Sequence, residues 1–143
     1  STSKASFKII VNGGQVISPA KVFENMANYE AERTYLLKEL KNRKIPGVLF
    51  FTGDRHISDL NKLEREGTYP LYDLTVSPMT AGKADAVKLD YNETLVPETL
   101  VQERAFSKIE VTGPLKDRTL TITLFNVKGE VLWTKELKSN LLK

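Results

Sequence analysis

The sequence contains no cysteine and a single histidine, His56. Disulfides, zinc–thiolate sites and thiol nucleophiles are therefore excluded, and all imidazole chemistry has one address. An excess of one charge sign is also missing. Lys and Arg number 21 against 18 Asp and Glu, a formal net charge of +3, and the basic residues are dispersed. The densest group, Lys41, Arg43 and Lys44, reads as a solvated helix end, where cations complement the helix dipole. Nucleic acid is accordingly not an expected partner. No apolar run approaches a membrane span, and no signal peptide opens the chain. Ser1-Thr2-Ser3-Lys4 carries no initiator methionine and reads as a processed or truncated start, with residues expected upstream. Internal repeats and low-complexity tracts are absent.

What is present suffices for a core. The 143 residues are 41% hydrophobic, a length that fits one domain or a large piece of a bigger one. Phe7 to Val11 is rich in β-branched residues and predicts a strand, broken at once by Asn12-Gly13-Gly14. From Tyr29 to Asn42 the apolar residues Tyr35, Leu36, Leu37 and Leu40 fall at helical spacing, with Glu30 and Glu32 early and Lys38 and Lys41 late. Ile45-Pro46 ends that helix. Strand, helix and strand in this order predict a right-handed parallel crossover. Ile57 to Arg65 reads as a short helix, and Leu71 to Val76 as a third strand ended by Ser77-Pro78. Thr80 to Thr99 shows little periodicity, and a stretch of that length is usually functional or mobile. Three alternating segments follow, Phe106–Thr112, Leu120–Phe125 and Val131–Leu137, which predict an antiparallel meander with one wet face. A division, if there is one, falls near Thr99 to Arg104, giving a 1–99 strand–helix–strand part and a 100–143 meander. A sheet truncated at one side leaves an exposed apolar edge, so a homodimer is a packing solution.

The stretch Gly47-Val48-Leu49-Phe50-Phe51-Thr52-Gly53-Asp54-Arg55-His56 carries the chemistry. Its apolar run predicts a strand buried on both faces. Asp54 and His56 then stand just past its C-terminal end, where ligands collect in α/β sheets. A carboxylate and an imidazole one residue apart offer two lone-pair donors suited to a divalent metal. The alternative is that Asp54 caps a helix starting near Ile57, with His56 in its first turn. Other residues carry plainer readings. Asn12-Gly13-Gly14 lacks the full phosphate-loop spacing and reads as a turn. Asp54 and Asp59 have no required pair geometry, and Asp59 reads as a solvated helix residue. Ser77 reads as a strand-end cap. Trp133 and Phe125 read as core, and Tyr72 as core or interface.

Taken in order, these segments resemble the C-terminal part of the PhoD-like alkaline phosphatase/phosphodiesterase family, a branch of the calcineurin-like metallophosphatases. The matching stretches are Phe7–Val16 (FKIIVNGGQV), Tyr29–Leu37 (YEAERTYLL), Gly47–His56 (GVLFFTGDRH) and Tyr69–Gly82 (YPLYDLTVSPMTAG). The closing strands from Ala105 to Leu137, with Trp133, are similar as well. The resemblance covers nearly the whole chain, and GVLFFTGDRH is its most specific part. It implies an α/β fold, the C-terminal half of an α/β/β/α sandwich closed by the meander. It also implies hydrolysis of phosphate mono- or diesters by a metal-activated water, in a periplasmic or secreted parent protein. Asp54 and His56 are then metal ligands or their immediate supports, and Arg55 is either a phosphate contact, since a guanidinium meets phosphate bidentately, or a solvated or structurally paired residue. The metal ions implied are divalent or trivalent, with iron, calcium, zinc and manganese all open.

This sequence departs from that pattern in one serious respect. The family places most metal ligands and phosphate contacts in an N-terminal half, and no such segment is present here. One histidine and one adjacent acid do not assemble a two-metal site. The expectation is an inactive half-site whose other half lies elsewhere. The competing expectation is a non-catalytic binding module that works through the Trp133 meander, with a vestigial Asp/His loop.

Overall fold

The structure, a computed structural model, describes residues 2–82 and 92–143. The irregular Thr80–Thr99 stretch therefore lies partly outside the described residues, with Asp85 and Asp90 among those not described. The described residues form seven strands: β1 (Lys8–Val11), β2 (Val48–Thr52), β3 (Asp59–Leu63), β4 (Leu71–Thr75), β5 (Ala105–Thr112), β6 (Thr119–Asn126) and β7 (Val131–Lys138). One α-helix, α1 (Glu30–Asn42), and two single 3₁₀ turns complete the described elements. The chain is thus a mixed α/β protein with two sheets. One is four-stranded in the order β1-β2-β4-β3, and the other is the antiparallel meander β5-β6-β7.

The apolar run of β2 explains its place. Val48, Leu49 and Phe50 are all buried, because β2 lies between β1 and β4 and is covered on both faces. Both neighbours run parallel to it, from Lys8↔Val48 to Val11↔Phe51 on one side and from Leu49↔Tyr72 to Thr52↔Thr75 on the other. The carboxyl ends of β1, β2 and β4 therefore coincide. Helix α1 connects β1 to β2, with Glu30 and Glu32 in its first turn and Lys41 in its last, the distribution that the helix dipole favours. Gly47 then enters β2 with φ +71, packed so closely against the Ser6 carbonyl that a side chain would collide with it.

Ile57–Arg65 is not a helix. Residues 59–63 form β3, antiparallel to β4 from Asp59↔Thr75 to Leu63↔Leu71. The apolar positions Ile57, Leu60 and Leu63 recur every three residues and mimic a helical period. Both faces of this strand are buried at its start: Leu60 joins the apolar core on one, and the other carries the polar Asp59 and Asn61. Asp59 is accordingly not solvated: it is 2% exposed.

In the meander, Leu120, Ile122 and Leu124 of β6 turn inward beside Trp133 and Leu137 of β7. These side chains join Val48, Leu49, Phe50, Leu71 and Leu74 of the first sheet in one apolar core. The Trp133 indole N–H donates to the Thr99 carbonyl at 2.9 Å, and Ala105 N–H to the Pro78 carbonyl at 3.1 Å. Phe125 differs from its expected place in the core. It is half-buried on the outer face, stacked on Phe106 with ring centroids 5.3 Å apart.

Candidate functional site

Three loops leave the carboxyl ends of the parallel strands and meet there: Asn12–Gly14 after β1, Gly53–His56 after β2, and Ser77–Gly82 after β4. Gly53 N–H donates to the Gly13 carbonyl at 3.0 Å, joining the first two. His56 N–H donates to Ser77 Oγ at 3.1 Å, joining the second to the third. Asn12 forms the plain turn expected of it, its side-chain amide donating to the Gly14 carbonyl at 2.8 Å. Gly14 is required for a second reason: a Cβ there would lie 2.6 Å from the Glu24 carbonyl oxygen.

Within the β2 loop, Arg55 N–H donates to the Gly53 carbonyl at 2.8 Å. That closes a three-residue turn around Asp54, whose φ is +63. A turn of this kind is rare and strained. His56 is also left-handed, with φ +54. Two left-handed residues that are not glycine, one residue apart, cost free energy that the surroundings must sustain, and such residues cluster at ligand sites. No helix follows, so the reading of Asp54 as a helix cap does not apply.

His56 Nδ1 lies 2.5 Å from the Gly82 carbonyl oxygen. A carbonyl only accepts, so Nδ1 carries the proton. In the neutral ring the lone pair is then on Nε2. This is the arrangement by which a metal-binding imidazole is oriented from behind. Asp54 is exposed at the turn. The Arg55 guanidinium carbon sits 5.2 Å from the centroid of the exposed Phe23 ring, a cation–π contact. The structure thus brings Asp54, Arg55 and His56 together at the strand ends. Among the described residues, no three His, Cys, Asp or Glu side chains converge as a set able to hold a metal ion.

Beneath these loops lies a buried polar cluster that the sequence did not disclose. Gln15 donates its side-chain amide to both Asp59 oxygens, at 3.0 and 3.1 Å, and to Thr75 Oγ1 at 2.9 Å. Asp73 accepts the backbone N–H groups of Val16 and Ile17 at 2.7 and 3.2 Å, and the Thr52 hydroxyl at 2.7 Å. Arg33 grips the same two residues from the other side, donating to the carbonyls of Val16 and Ile17 at 2.8 and 2.7 Å. Asn61 donates to Asp59 at 3.0 Å and accepts from Asn92 and Thr94. Burial pushes the Asp59 carboxyl up to about 6. The nearby Asp73 charge acts in the same direction, and hydrogen bonds from Thr75, Asn61 and Gln15 resist both. Asp73 is also raised by burial, with the Val16 and Ile17 N–H groups and Thr52 opposing the shift.

Most partners in this cluster sit far away in sequence, Gln15 from Asp59 and Val16 from Asp73. The available signal was a polar residue at alternate positions of β3 and β4, Asp59 with Asn61 and Asp73 with Thr75, which register places side by side. The cluster pins the 15–18 segment that follows the Asn12–Gly14 turn. It therefore fixes one wall of the strand-end site without adding a reactive group to it.

No protein-family model matches this chain, and no curated protein sequence matches it.

Proposed function

We propose that this chain carries the C-terminal half of a metal-dependent phosphoesterase site, of the PhoD-like kind its sequence resembles. Asp54 and His56 are metal ligands in this reading, and Arg55 is a phosphate contact. The observation that carries it is the His56 tautomer. Nδ1 is committed to the Gly82 carbonyl, so Nε2 offers its lone pair at the carboxyl ends of three parallel strands. The strained turn at Asp54 holds a carboxylate in the same loop. These donors suit a divalent or trivalent cation, which when bound would neutralise phosphate oxygens and lower the pKa of an attacking water.

The remaining work belongs to the chain's own residues. Arg55, steadied by Phe23, orients a phosphate ester and balances its charge. The Gly82 carbonyl keeps the His56 ring in one tautomer. Further ligands come from outside the described residues, in the N-terminal half that the resemblance implies, so the sheet, α1 and the meander are half of an α/β/β/α sandwich. The chain alone is hydrolytically inactive in this reading, and its parent works in the periplasm or outside the cell.

The test is calorimetric titration of the purified chain with Mn²⁺ and Zn²⁺, alongside assay of p-nitrophenyl phosphate and its diester. Weak binding is expected, reduced about tenfold or more in His56→Ala and in Asp54→Ala, with no turnover. Equal affinity in all three proteins contradicts the proposal. A second reading, a non-catalytic binding module, is favoured by the outer face of the meander, where Phe106, Phe125 and the exposed Val131 lie in register. Unchanged hydrolysis in a full-length parent lacking Asp54 and His56 would select it.

A further inference from the structure

Strand β1 is the edge of the four-stranded sheet. Lys8 N–H donates to the Gly47 carbonyl at 2.7 Å and Asn12 N–H to the Phe51 carbonyl at 3.0 Å. Even-numbered residues therefore face β2, and Ile9 and Val11 turn their N–H and C=O groups outward. No described residue pairs with that outer side. Its side chains are apolar on both faces and exposed: Ile9 is 46%, Ile10 36% and Val11 79% accessible. Natural edges are guarded by short strands, lysine, proline, bulges or inward-pointing charges, and this four-residue strand opens with Lys8. None of these interrupts Ile9-Ile10-Val11, which reads like an interior strand.

We infer that β1 pairs with β1 of a second copy of this chain, antiparallel about a two-fold axis at Ile10. A two-fold axis between identical edges enforces the antiparallel sense. In this register each Ile9 lies opposite Val11 of the other copy, and both residues exchange their N–H···O bonds. Ile10 faces Ile10 across the axis as the closer, non-hydrogen-bonded pair. Three β-branched side chains per copy then form cross-strand pairs. The charges also fit. Lys8 falls opposite Asn12, not opposite Lys8, and its ammonium is already held by the carbonyls of Ala5 and Pro46 at 2.8 and 3.0 Å. The result is one continuous eight-stranded sheet. Because the two halves run oppositely, their Asp54–His56 loops emerge at opposite edges of that sheet. The dimer does not complete the metal site, and it stands or falls independently of the proposed activity.

The experiment is sedimentation equilibrium of the full chain over a concentration series, with Ile10→Lys, Ile10→Glu and their equimolar mixture. The wild-type mass is expected to rise from 16.1 kDa to twice that value. Each single variant opposes like charges at the axis and is expected to raise the dimer dissociation constant about tenfold or more. The mixture brings Lys opposite Glu and is expected to recover the dimer. Val127→Lys, an exposed site on a distant turn, is expected to dimerise as wild type. A wild-type chain that stays monomeric throughout overturns the inference. So does a mixture that behaves as the average of its two components.

Discussion

At the scale of single residues, the site rests on backbone conformations that side chains resist. Asp54 tolerates φ +63 because a short polar side chain visits the left-handed region at modest cost. Asp54→Gly is expected to keep or raise the melting temperature while metal affinity is lost. Asp54→Val forces a β-branched residue into the same turn and is expected to cost about 2 kcal/mol. Thermal melts read both, and a stability loss in the glycine variant would show that the carboxylate holds the fold and not a ligand. Asp59 makes a different prediction. Its folded pKa, about 6, stands above the ordinary 3.8, so the folded state holds a proton that the unfolded chain has released. The stabilisation it contributes is complete below about pH 4 and lost as pH rises towards 6. The expected loss is about 3 kcal/mol, and Asp73 acts in the same sense. Urea unfolding at pH 4, 5, 6 and 7 should show this decline in wild type and a shallower one in Asp59→Asn, where only the Asp73 contribution remains. Parallel profiles for the two proteins would contradict it.

At the scale of elements, legibility followed what each buried face is made of. The helix Glu30–Asn42, strand β2 and the meander were readable because apolar residues mark their inner faces at the expected period. β3 was misread because one of its two buried faces is Asp59 and Asn61, satisfied by Gln15, Thr75, Asn92 and Thr94. Polar satisfaction across 31 to 60 residues of sequence leaves only the alternation of polar residues along β3 and β4 as its local sign. Phe125 was misplaced for the opposite reason. An aromatic residue in an alternating strand fits either face, and here stacking on Phe106 keeps it outside. The candidate site itself was legible as a loop, from Gly53, Asp54 and His56 after an apolar strand. Its tautomer was not, since Gly82 is 26 residues from His56.

At the scale of the molecule, one core joins both sheets, and its cooperativity can be measured. Leu124 is fully buried in β6, and Leu124→Ala is expected to cost about 3 kcal/mol. Trp133 fluorescence reports the meander and far-ultraviolet circular dichroism reports α1. Both transitions should shift together, and separate shifts would mean two independently folding parts. The lone histidine, His56, makes the strand-end loop directly observable. The decisive measurement is the long-range ¹H–¹⁵N correlation spectrum of the His56 imidazole during a Zn²⁺ titration. A protonated Nδ1 is expected before metal is added, with a large shift confined to Nε2 as zinc binds, and in Asp54→Ala the same shift is expected only at about tenfold or higher zinc. A ring protonated at Nε2, or a spectrum unmoved by metal, would contradict the proposed metal site.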